Sequence, residues 1–457
     1  MANTISSQIR ILPGGEHRIL TDIGRVDPGS LASYRDVGGY GGLERAITKL
    51  APEEVIAEIE SAGLRGRGGS GFPTAAKWRA ARAAAGDRKL VVANLMGADP
   101  SALGDRALAE GNPHLVVEGA LIAAYAVGAG EAIIAVRREW TDAISRLCTA
   151  VTEATDAHLG GYLVLGTDTS IQLSVWEGSG AYVAGEETAL LNALSGDRGM
   201  PAIRPPYPAV SGLWDSPTVV QNAETLAHAA WILAHSAEAF ASVGSEASHG
   251  TKLVTVMGRV AEPGLLEVPL GTSLADVIAM AGGGTGTTKA AFVGGPGGGA
   301  VDVAGLATPY DYEPLEAAGA IIGSGSVLVA DSSTCMVDSA RFFADFSARE
   351  ACGKAVPCRI GTKRLVETLD RILAATPRPN DFALLRELSR KMSDTALCKL
   401  ERLAPAPILT TLDRFEDEYR AHAERGVCLA GACRTAELAP LIEPLPGIEP
   451  ASGSRPG

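Results

Sequence analysis

The 457-residue chain is poor in aromatic residues, at 5%, and has no excess of positive charge and no uninterrupted hydrophobic run. Its 40 Lys and Arg face 53 Asp and Glu, for a formal net charge of −13. A broad basic surface for nucleic acid is thereby excluded, and phosphate-bearing ligands have to be met by single basic residues or by helix N-termini. The longest apolar stretch, 115–136, is interrupted by Glu118, Gly128, Gly130 and Glu131, so it reads as a helix followed by a strand and not as a membrane span. The first residues, MANTISSQIR, lack the basic start and apolar core of a signal peptide, which predicts a cytoplasmic location. Cysteines are seven, an odd number, and all but Cys148 fall between 335 and 433. That clustering argues for metal or redox chemistry over a disulfide framework.

What is present is ordinary globular composition, 46% hydrophobic and 20% charged, over a length that allows two or three domains. Residues 1–50 read as a leader without identifiable chemistry. From Pro52 a helix runs to Ser61, the loop GLRGRGGSGFP follows, and 74–85 reads as a second helix. A strand at 89–94, helix 114–127, strand 131–136, helix 141–156 and strand 161–165 then alternate, as expected of an α/β layer with a largely parallel sheet. Helices are expected at 185–194 and 220–236, which takes this domain over 51–245. After a small-residue linker, TKLVTVMGRV and GLLEVPLG form a hairpin-like pair, followed by a helix at 273–281, in a β-rich domain over 251–331. The periodicity over 336–430 is helical, with helices at 336–350, 361–374, 380–392 and 405–425, and predicts a bundle. The Gly/Pro/Ser-rich tail, 444–457, is expected to lack order.

Four motifs carry candidate chemistry. GRGGSG contains Gly66, Gly68, Gly69 and Gly71, flanked by Arg65 and Arg67. It satisfies a dinucleotide fingerprint in letters, but a helix precedes it where that fingerprint needs a strand. Its glycines still allow close backbone approach to a ring or phosphate, with a plain glycine-rich turn as the alternative. Glu186 and Glu187 open a helix, where the helix dipole favours carboxylates whatever their function. Asn222, Glu224 and Thr225 open another, compatible with simple capping. CGKAVPC and LCKL supply Cys352, Cys358 and Cys398, three soft ligands where a thiolate cluster commonly needs four. Buried free cysteines are the competing reading there. Cys148 and Cys335 read as core residues, and the CLAGAC pair, Cys428 and Cys433, has a spacing too loose to diagnose a site.

In this order, GLRGRGGSGFPTAAKW (63–78), EGNPHLVVEGALIAAYAVGA (110–129), GAYVAGEETALLNALSGDRGMPAIRPPYPA (180–209), GLWDSPTVVQNAETLA (212–227), ACGKAVPCRIGT (351–362) and LCKL (397–400) resemble the NADH-binding flavoprotein subunit of respiratory complex I and its relatives in NAD-linked hydrogenases and formate dehydrogenases. The resemblance spans about 60–430. It implies a Rossmann-like FMN and nucleotide domain, a small β-grasp domain of the soluble-ligand-binding kind, and a helical bundle with one [4Fe-4S] cluster. It also implies hydride transfer from NADH to FMN, with single electrons leaving through the cluster to a ferredoxin-like or other redox subunit. Gly66, Arg67, Gly68, Gly69, Gly71, Lys77, Asn94, Tyr182, Gly185 and Asn222 would hold FMN. Glu186 belongs to the same motif, and Glu187, Phe72 and Tyr207 would help place NADH. Cys352, Cys358 and Cys398 would be the metal ligands.

The chain departs from that pattern in places. Where relatives carry an acidic run after the central strand, this one reads NLMGADPSALGDR, with Met96 and Gly97 in place of paired acids. KWRAARAAAG lacks an aromatic usual after the Lys-Trp pair. The middle cysteine of the cluster loop is Ala355, which leaves open a three-iron cluster, a four-iron cluster with water or another donor, or an empty site. CLAGAC resembles the CPAGVC that precedes a ferredoxin-like extension in hydrogenase-type relatives. A non-catalytic scaffold and a flavoprotein using a different electron donor are the alternative functions.

Overall fold

The computed structural model describes residues 3–6 and 9–433, so the 444–457 tail lies outside the described residues. In chain order the strands are β1 (Asn3–Ser6), β2 (Ile9–Gly15), β3 (Leu90–Leu95), β4 (Glu131–Arg137), β5 (Gln172–Gly178), β6 (Thr218–Asn222), β7 (Thr251–Gly258), β8 (Gly264–Pro269), β9 (Thr288–Val293), β10 (Gly299–Asp302) and β11 (Ser326–Asp331).

Strands β3 to β6 form a wholly parallel sheet in the order β5-β4-β3-β6. β3 reads LVVANL, and such a continuous apolar run suits a strand covered on both faces. Helix Pro113–Val127 is buried at every residue except Tyr125, as expected of a helix apolar on all sides. Its carboxylate, Glu118, is satisfied by Tyr34 Oη at 2.6 Å and by the backbone N–H groups of Tyr40 and Leu43 at 3.0 Å.

The second sheet has seven strands in the order β1-β2-β8-β7-β11-β9-β10. β7 and β8 pair antiparallel, as the alternating apolar pattern predicts. β11 lies inside the sheet, parallel to β7 and antiparallel to β9. The third unit packs helices Met336–Glu350, Val356–Leu373, Asp381–Thr395, Ala406–Arg414 and Glu416–Arg425 around Leu365, Leu369, Leu385, Ile408 and Tyr419. Among the described residues, no helix is long and apolar enough to cross a membrane.

Several sequence expectations are corrected. Within the span 1–50 the described residues pack into the body of the chain: β2 pairs with β8, and helices Leu31–Asp36 and Gly41–Lys49 are tied to Glu118 through Tyr34, Tyr40 and Leu43. Residues 161–165 form a tight turn with Leu163 and Leu165 at positive φ, and the strand lies further on, at Gln172–Gly178. The helix expected at 220–236 begins at Ala223, because TVVQN completes the parallel sheet as β6. The helix expected over 405–425 is broken at Phe415.

Candidate functional site

The glycine loop lies beyond the C-terminal ends of β3 and β6, the side of a parallel sheet where ligands bind. Backbone bonds from Gly66 N to Phe72 O and from Thr74 N to Leu64 O, each 2.9 Å, close it. A Cβ at Gly68 would stand 3.2 Å from Asn222 Cβ, so the loop backbone rides directly on the end of β6. Gly69 and Gly71 have φ of +107° and +64°, and a Cβ at Gly71 would meet the Tyr312 ring at 2.7 Å. Arg65 braces the loop, donating to Gly71 O at 2.9 Å and to Glu313 at 2.7 Å.

Arg67 departs from its expected role. Its side chain is fully buried and donates to Thr251 O at 2.9 Å, His249 O at 2.6 Å and Arg65 O at 3.1 Å, away from the sheet end. It is a structural clamp between the loop and the second sheet, with its guanidinium already engaged.

Asn94 and Asn222 are register partners at the ends of β3 and β6. Asn94 Oδ1 accepts from Met96 N at 3.1 Å, and its amide reaches Gly185 O at 3.5 Å. Asn222 caps helix Ala223–Ala234 through Glu224 N at 3.0 Å and donates to both oxygens of Asp105 at 2.9 Å. Burial, reinforced by Glu224, pushes the Asp105 carboxyl up to about 6. Burial works to raise the Glu224 carboxyl, but the Lys252 ammonium at 2.5 Å and His228 together hold it below the ordinary range. This chain of buried groups joins the two sheets beneath the loop. Next to it Gln221 is buried, with Oε1 lacking any partner among the described residues.

Lys77 Nζ donates to Glu187 Oε2 at 3.0 Å and to Val220 O at 3.1 Å. Glu187 Oε1 receives Arg204 at 2.8 Å. Glu186 behaves as the simpler reading expected: it is the N-cap of helix Glu187–Leu194 and accepts from Thr188 N and Ala189 N at 3.0 and 2.9 Å. Tyr182 and Gly185 belong to the single turn before that helix. The Tyr182 ring meets Phe346 of the bundle edge-on at 5.3 Å. Phe72 and Tyr207 are exposed, at 51% and 58%, an arrangement suited to stacking on a planar ligand. A glycine cradle whose Cβ atoms would collide, a buried orphan acceptor and two presented rings fit a flavin with a nucleotide beside it.

The residues replacing the acidic pair have become packing elements. Met96 is buried among Leu90, Val92, Ile133 and Leu190. Gly97 has φ of +52°, and a Cβ there would lie 2.1 Å from Trp140 Cη2, so the indole occupies the room a side chain would need.

Cys358 and Cys398 are buried and Cys352 is half-buried. Burial pushes Cys358 up and Cys398 up to about 11, and the Cys352 thiol adds to both. Ala355 is the N-cap of helix Val356–Leu373, and its carbonyl accepts from Cys358 Sγ at 3.2 Å. The donor set fits three corners of an iron–sulfur cluster.

A second group of donors was missed by sequence reasoning. Cys335, His422, Cys428 and Cys433 bring one ligand atom each within 4.8 Å of all the others. Cys335 Sγ lies 3.3 Å from His422 Nε2, and hydrogen bonds from Cys433 and His422 pull its thiol down to about 4. Three sulfurs and one imidazole at this compactness are the donor set of a closed, tetrahedral zinc site. Cys335 is therefore not simply a core residue, CLAGAC supplies two donors of this group, and Cys148 is exposed. Eighty-seven residues separate Cys335 from His422, so no local spacing rule could have found the group.

Three family models match the chain: the Nuo51 FMN-binding domain over 59–231, the SLBB domain over 253–300, and the NADH-ubiquinone oxidoreductase-F iron–sulfur binding region over 338–422. The chain is 43% identical to the NADP-reducing hydrogenase subunit HndC of Solidesulfovibrio fructosivorans, over 93% of this chain and 87% of that one. It is 37% identical to an NADH-quinone oxidoreductase subunit of Rhizobium meliloti, over 90% and 98%. Its fold is similar to a chain in the crystal structure of the H2-reduced NAD+-reducing [NiFe]-hydrogenase, with a TM-score of 0.82 and 31% identity, covering 92% of this chain and 68% of that one. The chain thus belongs to the family of FMN-binding NADH dehydrogenase flavoproteins with an iron–sulfur binding region, and is an electron-transfer oxidoreductase of that family.

Proposed function

We propose that the chain takes electrons from a reduced nicotinamide nucleotide at the cleft above β3 and β6 and delivers them singly, through the bundle, to a ferredoxin-like or other redox subunit in the cytoplasm. FMN, when bound, supplies hydride acceptance and one-electron release, chemistry that protein side chains lack. In this reading 51–245 is the flavin and nucleotide domain, 251–331 the β-grasp domain and 336–430 the cluster-bearing bundle. The loop 66–71, Lys77, Asn94, Tyr182, Gly185 and Asn222 hold the flavin. Lys77 offers an ammonium for an anionic ring edge or phosphate, and Asn94 and Asn222 offer amide groups of both polarities. Glu187 positions Lys77 and Arg204, while Phe72 and Tyr207 cover the nucleotide.

The observation that carries this reading is Tyr182. It sits one turn before Glu186 on the flavin side, and it lies near Cys398 and Glu401 on the cluster side. Its ring also meets Phe346 of the bundle edge-on at 5.3 Å, which supports a path from a flavin at the glycine loop into the bundle.

The test is an anaerobic visible titration of the flavin-loaded protein with NADH. Bleaching of the flavin band at one equivalent is the expected result, and a chain that takes up no FMN would overturn the reading. A second reading, a flavoprotein with another electron donor, is favoured by Trp140 filling the space at Gly97. Its signature is a yellow protein that NADH leaves unchanged and a reduced ferredoxin bleaches.

A further inference from the structure

Glu401 is the least satisfied acidic side chain near the cluster cysteines. It lies in the first turn of helix Lys399–Leu403, immediately after Cys398, and is only 5% exposed. Its Oε2 is buried without a hydrogen-bond partner, and among the described residues no Lys, Arg or His forms an ion pair with it. A carboxylate taken out of water in this way is costly unless something positive meets it.

The helix that carries it is the one Cys398 opens as N-cap. The Glu401 charge bears on both Cys358 and Cys398, and on Cys358 it precedes Cys352 in strength. Glu186 is the other carboxylate near Cys398, but its Oε2 already accepts from Thr188 N, Thr188 Oγ1 and Ala189 N. Glu401 is the free one.

We propose that Glu401 supplies the fourth donor to the iron–sulfur site held by Cys352, Cys358 and Cys398, in place of the thiolate that Ala355 cannot provide. The inference rests on reading those three cysteines as cluster ligands. An iron centre resolves the charge problem directly, since the buried carboxylate then meets a cation and needs no arginine. Oxygen is a harder donor than sulfur, so the iron it holds should exchange and oxidise more readily than the three on thiolates. The corner facing Glu401 becomes the labile one.

The test is anaerobic reconstitution of the full chain with ferrous iron and sulfide. Iron and sulfide content are then measured, with electron paramagnetic resonance of the oxidised and dithionite-reduced forms. Four variants are compared: the parent, E401Q, A355C and A355C/E401Q. The parent is expected to hold four irons, E401Q to lose one of the four and show an oxidised three-iron signal, and A355C/E401Q to regain four. An E401Q protein with the same iron content and spectrum as the parent would overturn the proposal, as would a parent already limited to three irons. If A355C assembles four irons and the parent none, the inference fails while the site reading stands. If no variant takes up iron, both fail.

Discussion

Lys77 Nζ stands 3.0 Å from Glu187 Oε2, joining two helices 110 residues apart in sequence across the mouth of the glycine loop. The pair is half-buried, and Arg204 holds the other oxygen of Glu187 at 2.8 Å, so the ammonium is aimed by its partner and does not sweep through solvent.

On the proposed role of Lys77 in holding the flavin, replacing it by Met would remove one charge-assisted hydrogen bond, worth about 1.5–3 kcal/mol. FMN affinity is expected to fall by roughly 10- to 100-fold, read by fluorescence titration of the protein stripped of flavin. Unchanged affinity would place Lys77 outside the flavin site.

Gly97 cannot bear a side chain while Trp140 is in place. Gly97→Glu is expected to destabilise the chain by about 1–3 kcal/mol through overpacking at a positive φ, and Gly97→Glu with Trp140→Ala to recover most of it. Urea unfolding of the two variants is the check, and equal loss in both would show that Trp140 is not what fills the space.

The buried pair Glu224–Lys252 ties the first turn of helix Ala223–Ala234 to β7. Lys252→Met leaves the carboxylate uncompensated and is expected to cost about 3–5 kcal/mol, whereas Lys252→Met with Glu224→Gln should cost less. The comparison is made by chemical denaturation at pH 7.

Acid sensitivity has an identifiable source in His228. It is fully buried, and desolvation, only partly opposed by Glu224, pulls its pKa from 6.5 down to about 4. The unfolded chain therefore binds a proton that the folded one refuses between these values. Stability is expected to be complete above pH 6.5 and to fall as the pH drops towards 4, by up to about 3 kcal/mol. His228→Leu should flatten that part of the stability profile, and an unaltered slope would assign the acid sensitivity elsewhere.

The Cys335, His422, Cys428 and Cys433 group is expected to hold one zinc per chain in purified protein. Cys433→Ser should lower zinc content sharply while flavin content is retained, measured by elemental analysis and absorbance on the same sample. Equal zinc in parent and variant would remove Cys433 from the ligand set.

Much of the layering was legible because period-2 and period-3.6 patterns are local. The parallel strands at 89–94 and 131–136, helix 114–127 and the β7–β8 pair fall where the hydrophobic spacing put them. The failures occur where tertiary context overrides local pattern. Residues 220–222 read as the start of a helix over 220–236, yet they complete the sheet beside β3. Residues 9–15 carry no partner signal, and only the edge of β8 gives them one.

The sequence by itself determined the family, the glycine loop, the capping residues Asn222 and Glu186, and the missing thiol at Ala355. These depend on residue identity at short spacing, and they are visible wherever the chain folds. Only the tertiary structure decided that Arg67 turns away from the loop into a carbonyl cage, that Trp140 closes the space at Gly97, that Glu401 is buried without a partner for Oε2, and that Cys335 meets His422, Cys428 and Cys433. Each of these joins positions that no local period relates, and what they do follows from the low dielectric in which folding places them: a charge or a thiol matters there by what it is buried against.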